Sequence, residues 1–344
     1  MTTTIATVAN AGEFGLIRRI KQILPTVHNQ NLIVGIGDDT AVIRLGDQQA
    51  LLLSCDIQIE NQHFRRDFIS CYQLGRRALA VNLSDIAAMG GTPTFALVSL
   101  GLPRRFLLSD FEELYRGLRD EAEQFSTTII GGNLSHSSEN LIIDITILGE
   151  AAISNVVFRS GANVGDRIFV TGAPGTAASG LHVLQQFGKE YPHRLEDIVL
   201  AHLQPRARIE FAKKISTSRL ANAMIDISDG LASDLRHIGE MSQVGAELYQ
   251  SQLPLPNHQQ EIEKISGQSI VELILNGGED YELLFTVRLD LSTSQLYQIA
   301  AHTKVKITEI GRIVPASQGF HLITLNGHKQ QMKPKGWDHF QQQS

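Results

Sequence analysis

The chain has 344 residues, enough for two ordinary domains, and its 42% hydrophobic and 19% charged residues argue for a soluble globular protein and against extended disorder. A formal net charge of −6 with no Lys/Arg block argues against nucleic acid as a partner, and no apolar stretch approaches the roughly 20 residues that span a bilayer. The start, Met1-Thr2-Thr3-Thr4-Ile5, lacks the features of a signal peptide, and Cys55 and Cys71 form no CxxC pair, so reduced thiols, a cytoplasmic address and no membrane partner are expected.

The periodicity alternates between strand and helix. Residues 13–24 carry Phe14, Ile17, Ile20 and Leu24 at helical spacing, and Pro25 follows where a helix should stop. Residues 31–36 and 50–57 read as short buried strands, and 71–89 as a helix with Leu74, Ala78, Val81 and Ile86 facing inward. Thr94–Leu102 is strand-like, Asp110–Gln124 is an amphipathic helix, Thr127–Ile130 is a strand ending at Gly131-Gly132, and Leu141–Leu148 is a long strand. The pattern restarts near residue 151, and 156–166 is turn-rich, so domains are expected over 1–150 and 151–344. In the second, Arg167–Thr171 is a strand that turns at Gly172-Ala173-Pro174-Gly175 into a helix from near Thr176. Helices at 205–216 and 230–243, a proline-marked loop at 251–260, and strands at Leu283–Val287 and from Ile307 follow. The class expected is α/β (α+β) with two domains.

Carboxylates collect where strands are expected to end, beside glycines: Gly35-Ile36-Gly37-Asp38-Asp39, Ser54-Cys55-Asp56, Asn82-Leu83-Ser84-Asp85, Asp226-Ile227-Ser228-Asp229-Gly230 and Gly277-Gly278-Glu279-Asp280. Singly, each has an ordinary reading as a turn former, a helix cap or a solvated residue. Together they suggest hard cations holding a polyphosphate, since independent caps need not recur in five similar settings. The chain has no Gly-x-x-x-x-Gly-Lys-Ser/Thr loop, so no P-loop lysine meets the phosphate charge. Without a lysine, Gly172–Thr176 reads as a close strand-to-helix turn rather than a phosphate loop, though a helix N-terminus could take an anion.

Six segments carry a family resemblance: GEFGLI (12–17), GIGDD (35–39), NLSDIAAMGGTP (82–93), GD-x-I-x-VTG (165–172), DISDGL (226–231) and GGEDYELLFT (277–286), with KGWDHF (335–340) closing the chain. In this order they resemble the bacterial thiamine-monophosphate kinases, of the superfamily that also holds aminoimidazole ribonucleotide synthetase and selenophosphate synthetase. A selenophosphate synthetase would show an N-terminal catalytic Cys or selenocysteine, and no cysteine precedes Cys55. The resemblance implies transfer of the γ-phosphoryl group of ATP to thiamine monophosphate, the last step of thiamine diphosphate biosynthesis, with several magnesium ions in a cleft between the domains. Alternatives are another ATP-dependent enzyme of the superfamily and a non-catalytic binder of thiamine phosphates.

Carried over residue by residue, the resemblance implies a magnesium set of Asp39, Ser54, Cys55, Asp56, Asp85, Asp226 and Asp229, of which Asp39, Asp85 and Asp229 would be catalytic. Tyr115, Gly132, Asn133, Arg159 and Ser228 would contact ATP, and His63, Glu279 and Trp337 the thiamine substrate. It also implies a homodimer joined through first-domain strands. Two positions depart from the family pattern: Asn133 stands where an Asp is usual, and Cys55 where a Thr is usual.

Overall fold

The computed structural model describes residues 7–24 and 29–333, which build two mixed sheets with helices around them, the two-domain α/β class expected. The first domain comprises α1 (Val8–Ile23), β1 (Leu32–Val34), β2 (Ala41–Leu45), β3 (Gln49–Ile59), α2 (Cys71–Ala88), β4 (Thr92–Leu102), α3 (Leu108–Gln124), β5 (Thr128–His136) and β6 (Ile142–Ala152). Its sheet runs β1-β2-β3-β6-β4-β5, antiparallel except for the β4/β5 pair. Alternation decides the faces: Ile143, Ile145 and Ile147 of β6 and Ala96, Val98 and Leu100 of β4 are buried. Ile57, Phe95 and Leu97 are exposed.

Helix α2 is the hub. Ser70 caps it, its hydroxyl accepting from the Gln73 N–H at 3.2 Å. The helix packs against β3, β6 and α3 of its own domain and against α6 and β8 of the other. That double burial explains why Arg77, Asn82 and Ser84 are enclosed although polar.

The second domain follows as β7 (Arg167–Thr171), α4 (Thr176–Phe187), α5 (Glu196–Leu203), α6 (Ile209–Thr217), β8 (Ala223–Asp226), α7 (Leu231–Ser242) and β9 (Val244–Tyr249). It continues with α8 (Gln259–Ser266), α9 (Ile270–Asn276), β10 (Leu283–Val287), α10 (Ser294–Thr303), β11 (Ile307–Pro315), β12 (Phe320–Ile323) and β13 (Lys329–Gln331). Its sheet runs β13-β12-β9-β11-β7-β10-β8, with β8 and β10 buried along their whole length.

Three differences from the sequence reading have physical causes. β5 does not stop at Gly131-Gly132; its parallel pairing with β4 continues to Leu102↔His136 after a bulge at Ala96/Leu97. α1 begins earlier, at Val8, with Gly12 non-helical inside it, and Ile20 and Leu24 of its apolar row are exposed. Asp56 lies within β3 and Asp85 within α2, so two of the carboxylates sit inside elements rather than at strand ends.

Candidate active site

Between the two domains lies a cleft of about 1900 Å³. Single-ligand pockets are commonly about 300–1,000 Å³, so this one has room for two substrates. The first domain lines it with the Gly35–Asp39 turn, with Ser54 and Asp56 of β3, and with Arg77, Val81 and Asp85 of α2. The second supplies Asp226 at the end of β8, then Ser228 and Asp229, Asp234 and His237 of α7, and Gly277–Glu279.

At the cleft floor, Asp39, Asp85 and Asp226 each place a carboxylate oxygen within 4.8 Å of the other two. Serine hydroxyls fix two of them: Ser54 donates to Asp85 Oδ2 at 2.5 Å, and Ser84 donates to Asp226 Oδ2 at 2.6 Å. Asn82 Oδ1 accepts from the Asp56 N–H at 3.1 Å. Arg159 donates through Nη2 to Asp39 Oδ1 at 2.6 Å, while its backbone N–H points to both Asp38 oxygens at 3.3 Å.

The electrostatics follow from crowding anions in a buried place. Burial, then the charge of Asp39, pushes Asp226 up to about 8. Burial, then Asp144 and Asp39, pushes Asp56 up to about 6. Burial and the neighbouring Asp56 and Asp226 hold Asp85 well above the usual carboxylate range. Asp39 is also raised, burial outweighing its Arg159 partner, and Asp38 rises to about 6 from burial and the Asp39 charge. Asp39 Oδ2 is buried with no hydrogen-bond partner. Crowded oxygens, an unpartnered buried carboxylate atom and mutual repulsion together suit a hard divalent cation.

A second group, Asp229, Asp234 and His237, also brings ligand atoms within 4.8 Å of one another. Asp234 accepts from the Gly230 N–H at 3.2 Å.

Arg159, Ser228, His63 and Glu279 all line the cleft. His63 is held by the Ile59 N–H, which donates to its Nδ1 at 3.0 Å. Cys55 also lines the cleft but is exposed, and strand alternation points its side chain to the opposite face of β3 from Ser54 and Asp56. Trp337 lies outside the described residues. Tyr115 on α3, with Phe111 at 4.9 Å between ring centroids, is not among the cleft residues of its own chain, nor are Gly132 and Asn133 on β5. Gly132 has a local reason to be glycine, since a Cβ there would stand 1.7 Å from the Val98 carbonyl oxygen at a φ of +150°.

The Gly172–Thr176 turn is already filled: Asp280 accepts from the Gly175 N–H at 2.6 Å and the Ala177 N–H at 2.9 Å. A carboxylate of the chain itself thus takes the anion position at the start of α4.

The sequence reading passed over Arg77, Asp234, His237 and His202, all lining the cleft. The available signals were the i, i+4, i+8 row of Arg77, Val81 and Asp85, and the i, i+3 pair Asp234 and His237 just after Asp229.

Residues 37–151 match the family of AIR synthase related protein, N-terminal domain, and residues 163–323 match its C-terminal domain. The class is therefore that of two-domain AIR synthase related proteins. Within it, the thiamine-monophosphate kinase of Aquifex aeolicus (strain VF5) is 37% identical over 96% of this chain and 98% of its own. Those of Escherichia coli (strain K12), at 35% over 96% and 98%, and Bacillus subtilis (strain 168), at 33% over 95% and 99%, are similar throughout. The solved structure of AaThiL complexed with AMPPCP and TMP has a TM-score of 0.84 and 35% identity, covering 98% of this chain and 100% of that one. Hydrogenase maturation protein HypE in complex with ATP, at 17% identity and a TM-score of 0.68 over 92% and 93%, shares the fold alone. The chain belongs to the thiamine-monophosphate kinase family.

Proposed function

We propose that this protein transfers the γ-phosphoryl group of ATP directly to the phosphate of thiamine monophosphate, giving thiamine diphosphate and ADP. The carrying observation is the Asp39, Asp85 and Asp226 cluster at the floor of a cleft roomy enough for both substrates. The family membership and the AMPPCP and TMP bound by the similar AaThiL agree with it.

Phosphoryl transfer needs alignment and charge neutralisation more than covalent help from the protein. Magnesium held by Asp39, Asp56, Asp85, Asp226 and Asp229 would neutralise the phosphates of both substrates when bound. Ser54 and Ser84 keep two of those carboxylates oriented. Arg159 brings a positive charge to the same floor through its ion pair with Asp39, and it and Ser228, both lining the cleft, would contact ATP. His63 and Glu279 line the cleft as the thiamine contacts. The acceptor is already an ionised phosphate, so no strong general base is required, and no phosphoenzyme is expected.

The absence of Tyr115, Gly132 and Asn133 from the lining of their own cleft supports a homodimer in which they serve a second copy. β5 is a nine-residue edge strand, exposed at almost every residue. Ile57, Phe95, Leu97, Ile130 and Leu134 are exposed on the strands of that domain, apolar surface suited to association. Among the described residues no helix is long and apolar enough to cross a membrane, and the two cysteines are free thiols, in keeping with a cytoplasmic enzyme.

The test is direct: incubate the protein with Mg-ATP and thiamine monophosphate and separate the products. Thiamine diphosphate with matching ADP supports the reading. Binding without turnover would favour a non-catalytic thiamine-phosphate binder, and the absence of both binding and turnover would overturn the reading.

A further inference from the structure

Arg77 is 1% exposed on α2, yet its guanidinium reaches the second domain at two points. Nη2 donates to Glu279 Oε1, and Nη1 donates to the backbone carbonyl of His202. The other Glu279 oxygen faces His202 Nδ1 at 3.4 Å. The carboxylate is therefore enclosed between a first-domain arginine and a second-domain histidine while it lines the cleft.

The turn that carries Glu279 is strained. Glu279 has φ +68° and Tyr281 φ +50°, left-handed values that are strained for a non-glycine residue and persist where the surroundings over-determine them. Here the surroundings do so. Glu279 N–H donates to the Ser228 carbonyl at 2.8 Å, Tyr281 N–H donates to the Ile227 carbonyl at 2.9 Å, and Asp280 between them holds the start of α4. The backbone is pinned from the second domain, and Arg77 pins the side chain from the first.

Arg77 and Asp85 stand eight residues apart on one face of α2, roughly 12 Å at 1.5 Å per residue. Asp85 belongs to the carboxylate floor, so the helix spans from the phosphate end of the cleft to Glu279. A molecule with a phosphate at one end and an amine-bearing cationic heterocycle at the other would lie along it. We infer that Arg77 is a positioning residue for acceptor recognition: it holds the Glu279 side chain in one orientation, so that this carboxylate receives the heterocycle of thiamine monophosphate. A guanidinium anchored by its second nitrogen on the His202 carbonyl does this where a free carboxylate would swing among rotamers.

The inference rests on the proposed thiamine-monophosphate reading, so the test includes binding as well as turnover. Thiamine monophosphate and a non-hydrolysable ATP analogue are titrated calorimetrically into the unsubstituted protein, Arg77→Met, Arg77→Lys, Glu279→Gln and the Arg77→Met/Glu279→Gln pair. KM for each substrate and kcat are measured alongside. Arg77→Met should weaken thiamine monophosphate about tenfold in Kd and KM, with ATP changed less than about twofold. Arg77→Lys should fall between, because a single ammonium nitrogen keeps the charge but lacks the two spaced nitrogens that meet Glu279 and the His202 carbonyl. In the Glu279→Gln background, Arg77→Met should add little, since it acts through a carboxylate already gone. Equal losses for both substrates, or additive losses in the pair, would reduce Arg77 to a domain-bridging ion pair. Retained analogue binding certifies folding, and Arg77→Lys carries the comparison if Arg77→Met fails that check. An unsubstituted protein that binds no thiamine monophosphate overturns the underlying reading, and the inference with it.

Discussion

The hydroxyl of Ser84 donates to Asp226 Oδ2 at 2.6 Å, joining residues 142 positions apart and tying the middle of α2 to the end of β8. A first-domain helix thereby sets the orientation of a second-domain carboxylate, and both groups are buried. Ser84→Ala should cost about 1–2 kcal/mol of stability through the lost buried hydrogen bond. It should also raise the magnesium concentration giving half-maximal activity by several-fold, because Asp226 loses a donor that favours its charged form. Magnesium titration at fixed ATP, paired with thermal melting, checks both. A lower melting temperature with an unmoved magnesium dependence would leave Ser84 as a structural tie alone.

Asp85→Asn and Asp229→Asn should each reduce turnover by roughly 10²–10⁴-fold, the scale of losing a group that stabilises developing charge. Ligand-free stability should hold or rise. Asp85 is raised by burial and by Asp56 and Asp226, so a neutral side chain of the same shape relieves repulsion, and its carbonyl can still accept from Ser54. Near-normal turnover with a large loss of stability would restore the reading of these residues as structural caps.

The pH dependence of stability has a defined sign. Asp226 is raised to about 8, and Asp38 and Asp56 to about 6, from an ordinary 3.8. Such groups bind protons more readily in the native state, so their stabilisation is present at low pH and is lost as pH rises through the native values. Burial first, then nearby arginine charge, pulls His202 and His237 down to about 4 from 6.5, which acts in the opposite sense and only below about pH 6.5. Above that pH the histidines are neutral in both states and the carboxylates set the slope. The melting temperature in EDTA should therefore fall between about pH 6.5 and 8.5, and the stabilisation by magnesium should grow over the same range. Asp280, raised to about 8 by burial and lying at the α4 turn, leaves a part of the slope that magnesium does not remove. A flat profile in EDTA, or a magnesium effect that shrinks with pH, would contradict this account.

Local pattern carried the sequence reading as far as neighbouring residues decide structure. The strands Arg167–Thr171 and Leu283–Val287, and the helix start at Thr176, are found where predicted because each is an apolar run or follows the Gly-Ala-Pro-Gly turn. The end of β5 was missed because glycines that read as a stop are tolerated where pairing with β4 continues, a fact of tertiary contact. Helix α5 was missed because it is only eight residues long and its polar residues, Glu196, Asp197 and His202, sit at its two ends rather than along one face. At the site, Asp39, Asp226 and Asp229 were legible because each sits in a glycine- or serine-bearing turn. Arg77 was not, because an arginine inside an apolar helix reads as solvated until α5 and the Gly277–Glu282 turn are seen packed upon it.

The separation of Tyr115, Gly132 and Asn133 from the cleft of their own chain yields the last prediction. If the ATP site is completed by a second copy, a chain defective at Asp85 and a chain defective at Tyr115 and Asn133 repair one another. Asp85→Asn and the pair Tyr115→Ala/Asn133→Ala should each be nearly inactive as pure proteins. Gly132 is left alone, because any side chain there collides with the Val98 carbonyl. Co-expressed with different tags and purified through both, the mixed dimer holds one site with both defects and one with neither. Its activity per dimer should reach about half that of the unsubstituted protein, since a two-fold dimer carries two equivalent sites. If each chain instead supplied its whole site, both sites of the mixed dimer would carry a defect and activity would stay near that of the pure variants. Asn133→Asp adds a second arm: if a metal bridges the ATP phosphates at that position, an added carboxylate should lower the magnesium concentration for half-maximal activity. A mixed dimer as inactive as its parents, with an unchanged magnesium dependence for Asn133→Asp, would remove all three residues from the nucleotide site.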